Sequence, residues 1–263
     1  MTQPIRYPDA TAFLASHGPR LRRREAVNNF ILGLAQTGSP AQFLACGDAL
    51  AALSGHGISL AAGSPPPDLR RLARALSLAR FELHSAFGPQ LETRTFALAW
   101  RRATGHPLSL SRDALAYRLS RLRTLPEAPG VARLADPADH RLLRRWLARF
   151  RSETGFGVST QDAPRILRSP EWWLWEDSAE PVSMLRLARV GPHSARVAYV
   201  YTPPAARGCG YAGALTAHVS ALALARGDRA LYLFTDAAND TANRLYRRIG
   251  YRRIGPFAQY QFT

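Results

Sequence analysis

Between residues 137 and 154, Leu142, Leu143, Trp146, Leu147 and Phe150 recur at the short steps of a helix with one buried face. A second, shorter helix is predicted over 162–168. Apolar runs at 131–134, 172–175, 183–190, 196–201 and 230–235 read as strands, and the second and third of them join near 177–180 as a hairpin. Helical patterns follow the last two strands, at 210–226 and 239–249, and the chain closes as a strand over 251–262 broken by Gly255-Pro256. Upstream, helical signals cover 11–36, 67–80, 90–104 and 112–122, with strand-like pieces at 43–46, 58–62 and 81–87. Leu125-Pro126-Glu127-Ala128-Pro129-Gly130 interrupts any helix. It predicts two mixed α/β domains, 1–126 and 127–263, similar in length and layout but with no exact repeat.

Charge changes this picture less than its size suggests. There are 35 basic residues against 19 acidic ones, a net +16, and every basic residue is arginine because the chain has no lysine. The excess is even: 16 arginines face 8 acids in 1–130, and 19 face 11 in 131–263. An even, lysine-free excess reads as compositional background, since arginine and lysine are not interchangeable in any specific role. Nucleic acid is therefore disfavoured as a partner. The longest weakly polar run, 212–225, is too short and too polar to span a bilayer. The N-terminus has no apolar leader, so a cytoplasmic location is expected. Cys46 and Cys209 form no disulfide or metal-ligand pattern, and no metal is expected.

The candidate chemistry lies after the strand at 196–201. There the chain reads Thr202-Pro203-Pro204, then Arg207-Gly208-Cys209-Gly210-Tyr211-Ala212, then a helix with Leu215, Val219 and Leu222 on one face. Prolines end the strand because they cannot donate to a ladder. Glycines allow a tight turn and close approach of a ligand. The turn delivers unpaired N–H groups at the positive end of a helix, an anion site suited to a diphosphate. An ordinary glycine-rich strand-to-helix turn would look the same at this point. A second segment, 235–251, carries a helix with Asn239 as its N-cap and Gly250 at its end. At ~100° per residue, Asn239, Asn243 and Tyr246 share one stripe beside the apolar stripe of Ala242, Leu245 and Ile249. That polar stripe either meets solvent or faces a ligand.

Together the two segments read strand–Pro-Pro–R-x-x-G-x-A–helix, then strand, then N-x-x-A-x-x-L-Y-x-x-x-G-Y. This combination resembles the GNAT superfamily of acyl-CoA-dependent N-acetyltransferases, most clearly over 196–251. The resemblance implies a central sheet in which strands 196–201 and 230–235 splay apart around the pantetheine arm of acetyl-CoA. It implies that Val200, Tyr201 and Thr202 align the arm through their backbones. Arg207, Gly208, Cys209, Gly210, Tyr211 and Ala212 would hold the diphosphate, Asn239 and Asn243 would touch the arm, and Tyr246 would protonate the departing thiolate. The chemistry is consistent with those roles. An amine attacks a thioester carbonyl, charge develops on its oxygen, and a strand N–H near Val200 is a suitable donor.

The general base is not readable. Glu176, Asp177 and Glu180 are candidates, or plain acids of a hairpin turn, and a water relay is the alternative. Trp172, Trp173 and Trp175 read as core, and His193, His218 and Cys209 as incidental. In the first half, Gly63-Ser64-Pro65-Pro66-Pro67 holds the place of the cofactor loop but lacks its arginine and paired glycines. Its prolines also remove N–H donors. That half resembles a degenerate GNAT-like domain, as in bacterial proteins with tandem organisation, and is expected to be non-catalytic. The sequence thus points to an N-acyltransferase using acetyl-CoA and an amine acceptor on a small molecule or peptide. The alternatives are an acyl-CoA-binding sensor without catalysis and an RNA- or ribosome-associated basic protein.

Overall fold

The computed structural model describes residues 3–36, 40–55, 57–123, 127–155, 163–168 and 171–263. The first part of the chain forms β1 (Ile5–Arg6), α1 (Ala10–Arg23), α2 (Glu25–Gln36), β2 (Ala41–Cys46), β3 (Ala49–Ser54) and β4 (Gly57–Leu60). Then come α3 (Pro66–Leu78), β5 (Ser85–Pro89), α4 (Gln90–Thr104) and β6 (Leu108–Leu119). The second part forms β7 (Val131–Leu134), α5 (His140–Thr154), α6 (Ala163–Leu167), β8 (Trp172–Asp177), β9 (Glu180–Gly191) and β10 (Ser194–Tyr201). It ends with α7 (Tyr211–Ala225), β11 (Ala230–Asp236), α8 (Asp240–Ile249) and β12 (Arg252–Phe262). Asp162, the first residue of the expected short helix, lies outside the described residues, as do residues 124–126 at the expected domain boundary.

Two compact units divide the chain. The first comprises Met1–Arg118, Phe234–Asp240 and Arg253–Thr263; the second comprises Leu119–Leu233 and Thr241–Arg252. In the first, the strand order is β1-β2-β3-β4-β5-β12-β6. Its core includes Phe96 and Trp100 of α4, stacked at 6.2 Å, with Phe262 packed at 5.9 Å from Trp100. β12 is drawn into this unit by its antiparallel ladder with β5, from Phe257↔Pro89 to Gln261↔Ser85.

In the second unit the order is β11-β10-β9-β8-β7. α5 covers the sheet with Leu143, Trp146 and Leu147 against Trp172, Leu174, Met184 and Tyr201. Trp172, Trp173 and Trp175 are all buried, as expected of core.

Three sequence expectations are corrected. Residues 112–122 were expected to be helical, but Leu108–Leu119 is the strand β6. Its Ala, Leu and Arg favour helices locally, and pairing with distant strands overrides that preference. Gly255-Pro256 does not break the last strand, because the ladder with β5 begins only at Phe257, beyond the missing N–H. The 11–36 signal is two helices that part at Arg24.

Gly130 shows why the proline–glycine stretch is rigid where it is described. Its φ is +107°, and a Cβ there would lie 2.0 Å from the Glu176 carbonyl oxygen. The neighbouring Pro129 carbonyl accepts the Trp175 indole N–H at 2.8 Å. Gly130→Ala is expected to destabilise the protein by at least about 1–3 kcal/mol from backbone strain alone. Urea denaturation measures this, and a midpoint equal to wild type would show that the segment is free to move.

Candidate functional site

The site is built on an incomplete pairing. β10 runs parallel to β11 only over Ser194–Arg196 against Ala230–Tyr232. On its other edge β10 stays with β9, through Val197↔Leu187, Ala198↔Arg186 and Tyr201↔Met184. Between Ala198 and Tyr201 it carries a bulge, where Tyr199 takes φ +55°, an uncommon conformation for a bulky side chain. The strands therefore part after Arg196, as expected of the splayed pair.

At the end of β10 the side chains are tied down. The Tyr201 hydroxyl donates to Glu153 Oε1 at 3.0 Å, and the Tyr201 carbonyl accepts from Ser183 Oγ at 3.1 Å. Thr202 Oγ1 donates to Ser183 Oγ at 2.9 Å. The Arg207 guanidinium bonds the Thr202 carbonyl through Nε at 2.9 Å and Glu153 Oε2 through Nη2 at 2.5 Å. It also lies 5.9 Å from the Tyr201 ring. Arg207 thus pins its own loop as well as standing at its mouth.

Beyond Arg207 the chain opens to solvent through Gly208, Cys209 and Gly210. Gly208 and Gly210 take φ +89° and +84°, conformations natural to glycine. No heavy atom lies within 4 Å of a Cβ built on Gly208, and the nearest to one on Gly210 is 3.5 Å away. Gly210 is the N-cap of α7 and supplies no side-chain cap. The amides of Tyr211, Ala212 and Gly213 precede the first turn, which Ala214 closes on the Gly210 carbonyl at 3.0 Å. Most of α7 is buried, so its positive end faces solvent from a low-dielectric background.

α8 carries the second expected segment. Its buried residues are Asn243, Tyr246 and Ile249, while Ala242 and Leu245 are only half-buried. Asn243 and Tyr246 are therefore covered more than Ala242 and Leu245, while Asn239, the third member of the polar stripe, is exposed to solvent. Tyr246 packs edge-on to Tyr251 at 5.9 Å, and Tyr251 Oη meets Ser220 Oγ of α7 at 3.0 Å. Burial pushes the Tyr246 phenol well above its ordinary value, so it holds its proton across the physiological range. The second unit thus contains Val200, Tyr201, Thr202, the 207–212 loop, Asn243 and Tyr246. Asn239 precedes α8 in the Phe234–Asp240 segment, which belongs to the first unit.

Two of the three candidate bases are engaged. Glu176 accepts the Arg133 Nε–H at 2.6 Å, and Arg133 also holds Asp139. Asp177 accepts the Tyr211 hydroxyl. Glu180 is exposed at the hairpin. Glu153 and Ser183 were missed in the sequence; both act on residues far along the chain, and no local pattern marks them.

The counterpart loop of the first unit is closed on itself. Gly63 N–H donates to Glu92 Oε1 at 2.7 Å and Ala62 N–H to Asn28 Oδ1 at 2.8 Å. The Gly63 carbonyl accepts from Arg20 at 3.0 Å. A Cβ on Gly63 would lie 2.7 Å from the Arg24 guanidinium.

Residues 140–251 match the model of the acetyltransferase (GNAT) family. Over those residues the sequence is that of a GNAT-family domain. That GNAT match takes in α5 to α8 and the whole loop after β10. Nearly the full chain shares its fold with solved structures. A Drosophila protein covers 99% of this chain and 98% of its own at TM-score 0.70 and 15% identity. GCN5-related N-acetyltransferases from Kribbella flavida and Sphaerobacter thermophilus give TM-scores of 0.66 and 0.65, both at 17% identity. They cover 92% and 98% of this chain, and 94% and 95% of their own. No protein of curated function matches the sequence. Among the described residues, no helix is long and apolar enough to cross a membrane, and no three His, Cys, Asp or Glu side chains converge to hold a metal.

The Glu153 pair with Arg207 gives a pH signature. Burial alone would raise the Glu153 carboxyl, but the bonds from Arg207 and Tyr201 outweigh it and hold the group below the usual range. Its contribution to stability is complete above about pH 4.3, the unfolded value, and is lost as pH falls through the lower folded value. Arg207→Gln is therefore expected to be less stable than wild type at pH 6, with the gap narrowing by pH 3. Urea denaturation at both pH values checks this, and a pH-independent gap would exclude the pair as its source.

Proposed function

We propose that this chain transfers an acetyl group from acetyl-CoA to an amine of a small molecule or peptide by direct attack in a ternary complex. The observation that carries the reading is the exposed Arg207–Gly210 turn at the mouth of the buried helix α7, directly after a strand that leaves its neighbour. An anion reaching that turn would meet unpaired amides and the positive end of the helix. Backbone groups of Val200, Tyr201 and Thr202 would align the acetyl-pantetheine, with Asn243 along the arm.

The reaction needs two charges managed. The amine nitrogen lone pair attacks the thioester carbonyl carbon, and negative charge grows on the carbonyl oxygen. A backbone N–H at the β10 bulge would stabilise it. As the C–S bond breaks, the sulfur takes a proton from Tyr246 Oη. The phenol carries its proton at neutral pH, as a phenol of ordinary pKa about 10 does. The nitrogen sheds its own proton to water or a base. Glu176 and Asp177 already serve Arg133 and Tyr211, which leaves Glu180 or a water relay for that step. Holding both reactants in line supplies much of the acceleration.

In this reading residues 127–263 carry the catalytic apparatus and 1–126 a degenerate, non-catalytic GNAT-like partner. The support is the first unit's own loop, whose amides already serve Glu92 and Asn28. A cytoplasmic location belongs to the same reading.

Calorimetry with acetyl-CoA tests the loop. Gly210→Asp places a carboxylate in the proposed diphosphate cradle and is expected to weaken binding by more than about tenfold, or 1.4 kcal/mol. Gly210→Asn carries the same backbone strain without the charge and is expected to bind far closer to wild type. Equal affinity in Gly210→Asp and wild type would sink the assignment. For the acid, Tyr246→Phe is expected to keep acetyl-CoA affinity while slowing CoA release on a responsive amine by roughly 10²-fold. Unchanged turnover across pH would remove Tyr246 from the mechanism.

A further inference from the structure

The loop that would hold the diphosphate has little to hold itself. Two of its residues are glycines at positive φ, and its helix cap has no side chain. Free glycine backbone is costly to order, so a loop ordered only by its ligand binds that ligand weakly. Here two carboxylates from other elements grip it. At its start, Glu153 in the last turn of α5 takes both the Tyr201 hydroxyl and the Arg207 guanidinium. Arg207 returns to the Thr202 carbonyl, closing a ring of contacts over residues 201–207. At its end, Tyr211, the first residue of α7, donates its hydroxyl to Asp177 at the end of β8. The Tyr211 residue is buried and Asp177 half-buried, so this bond is partly withdrawn from water.

We propose that Asp177 and Glu153 are positioning residues that clamp the acyl-CoA loop at its two ends and set affinity for acyl-CoA without touching the reacting atoms. The proposal rests on the reading of the loop as the diphosphate site. It gives the acid at 177 a role other than general base. The clamp also tolerates pH. The Asp177 bond raises the Tyr211 phenol to about 12, so the donor keeps its proton, and Glu153 stays ionised below the usual carboxylate range. Two carboxylates beside an anion site would otherwise repel the ligand. Each is occupied by a donor, and that of Glu153 is a full positive charge.

The experiment measures the Kd for CoA, KM for acetyl-CoA, kcat and its pH profile for Asp177→Ala, Asp177→Asn, Tyr211→Phe and the Asp177→Ala/Tyr211→Phe double variant. Asp177→Ala and Tyr211→Phe are each expected to raise Kd and KM about tenfold, the scale of one hydrogen bond to a charged group. At saturating acetyl-CoA, kcat and the pH profile should stay within about twofold of wild type. The double variant should be no worse than either single one, because both remove the same bond. Asp177→Asn should recover most of the affinity, since its amide oxygen still accepts. Glu153→Gln, read the same way, should raise KM with kcat retained. Tyr211→Phe keeps the buried ring and remains informative if Asp177→Ala does not fold. Unaltered Kd in Asp177→Ala and Tyr211→Phe overturns the proposal, as does a loss of kcat with a displaced acidic limb, which would make Asp177 a base. If Gly210→Asp weakens CoA binding but the clamp variants do not, the loop reading stands and the clamp falls. If Gly210→Asp has no effect, both fall.

Discussion

β10 keeps β9 along its length and gives up β11 after Arg196, and the local layout of the site follows from that divergence. A strand that loses one neighbour in mid-course exposes N–H and C=O groups that must find other partners. The bulge at Tyr199 turns the remainder of β10 toward the Pro203-Pro204 exit. The loop that follows can then present its amides outward at the start of α7. Were the β10–β11 ladder complete to Tyr201, those backbone groups would be spent within the sheet.

The site was legible in the sequence unevenly. The Arg207–Ala212 spacing and the placement of strand, prolines, glycines and helix are local features, and local features survive in sequence. The second half's elements also read well, because β8, β9 and β10 are aromatic- or branched-rich and bounded by turns. The bulge at Tyr199 left no mark, since its neighbours are ordinary strand residues. β3 and β6 were lost for a different reason. Both are rich in alanine and leucine, which favour helix, and only pairing with other strands decides their state. On α8 the periodicity separated the two stripes correctly but could not say which flank is covered more deeply. Glu153 and Arg207 lie 54 positions apart, beyond any pattern of spacing.

The two glycine-bearing loops make an instructive contrast. Both follow a strand and precede a helix. In the first unit, Glu92 and Asn28 satisfy the amides of Gly63 and Ala62 from within, and Arg24 crowds the glycine. In the second, side chains hold the ends of the turn and leave its middle open to solvent. The difference is where hydrogen-bonding capacity is consumed, because a donor already satisfied inside the chain gains little from a ligand.

The return of residues 253–263 to the first unit bears on how the protein is made. β5 pairs with β12 across some 170 intervening residues, from Pro89↔Phe257 to Ser85↔Gln261. During synthesis from the N-terminus, the first unit therefore waits with the β12 edge of β5 unpaired until nearly the whole of the described chain has emerged. Contacts of such sequence separation form late, and an open strand edge is a template for association with other chains. The interval between translation of β5 and arrival of β12 is thus the stage at which nascent chains are most exposed to mispairing, and a chaperone bound at that edge would act on it.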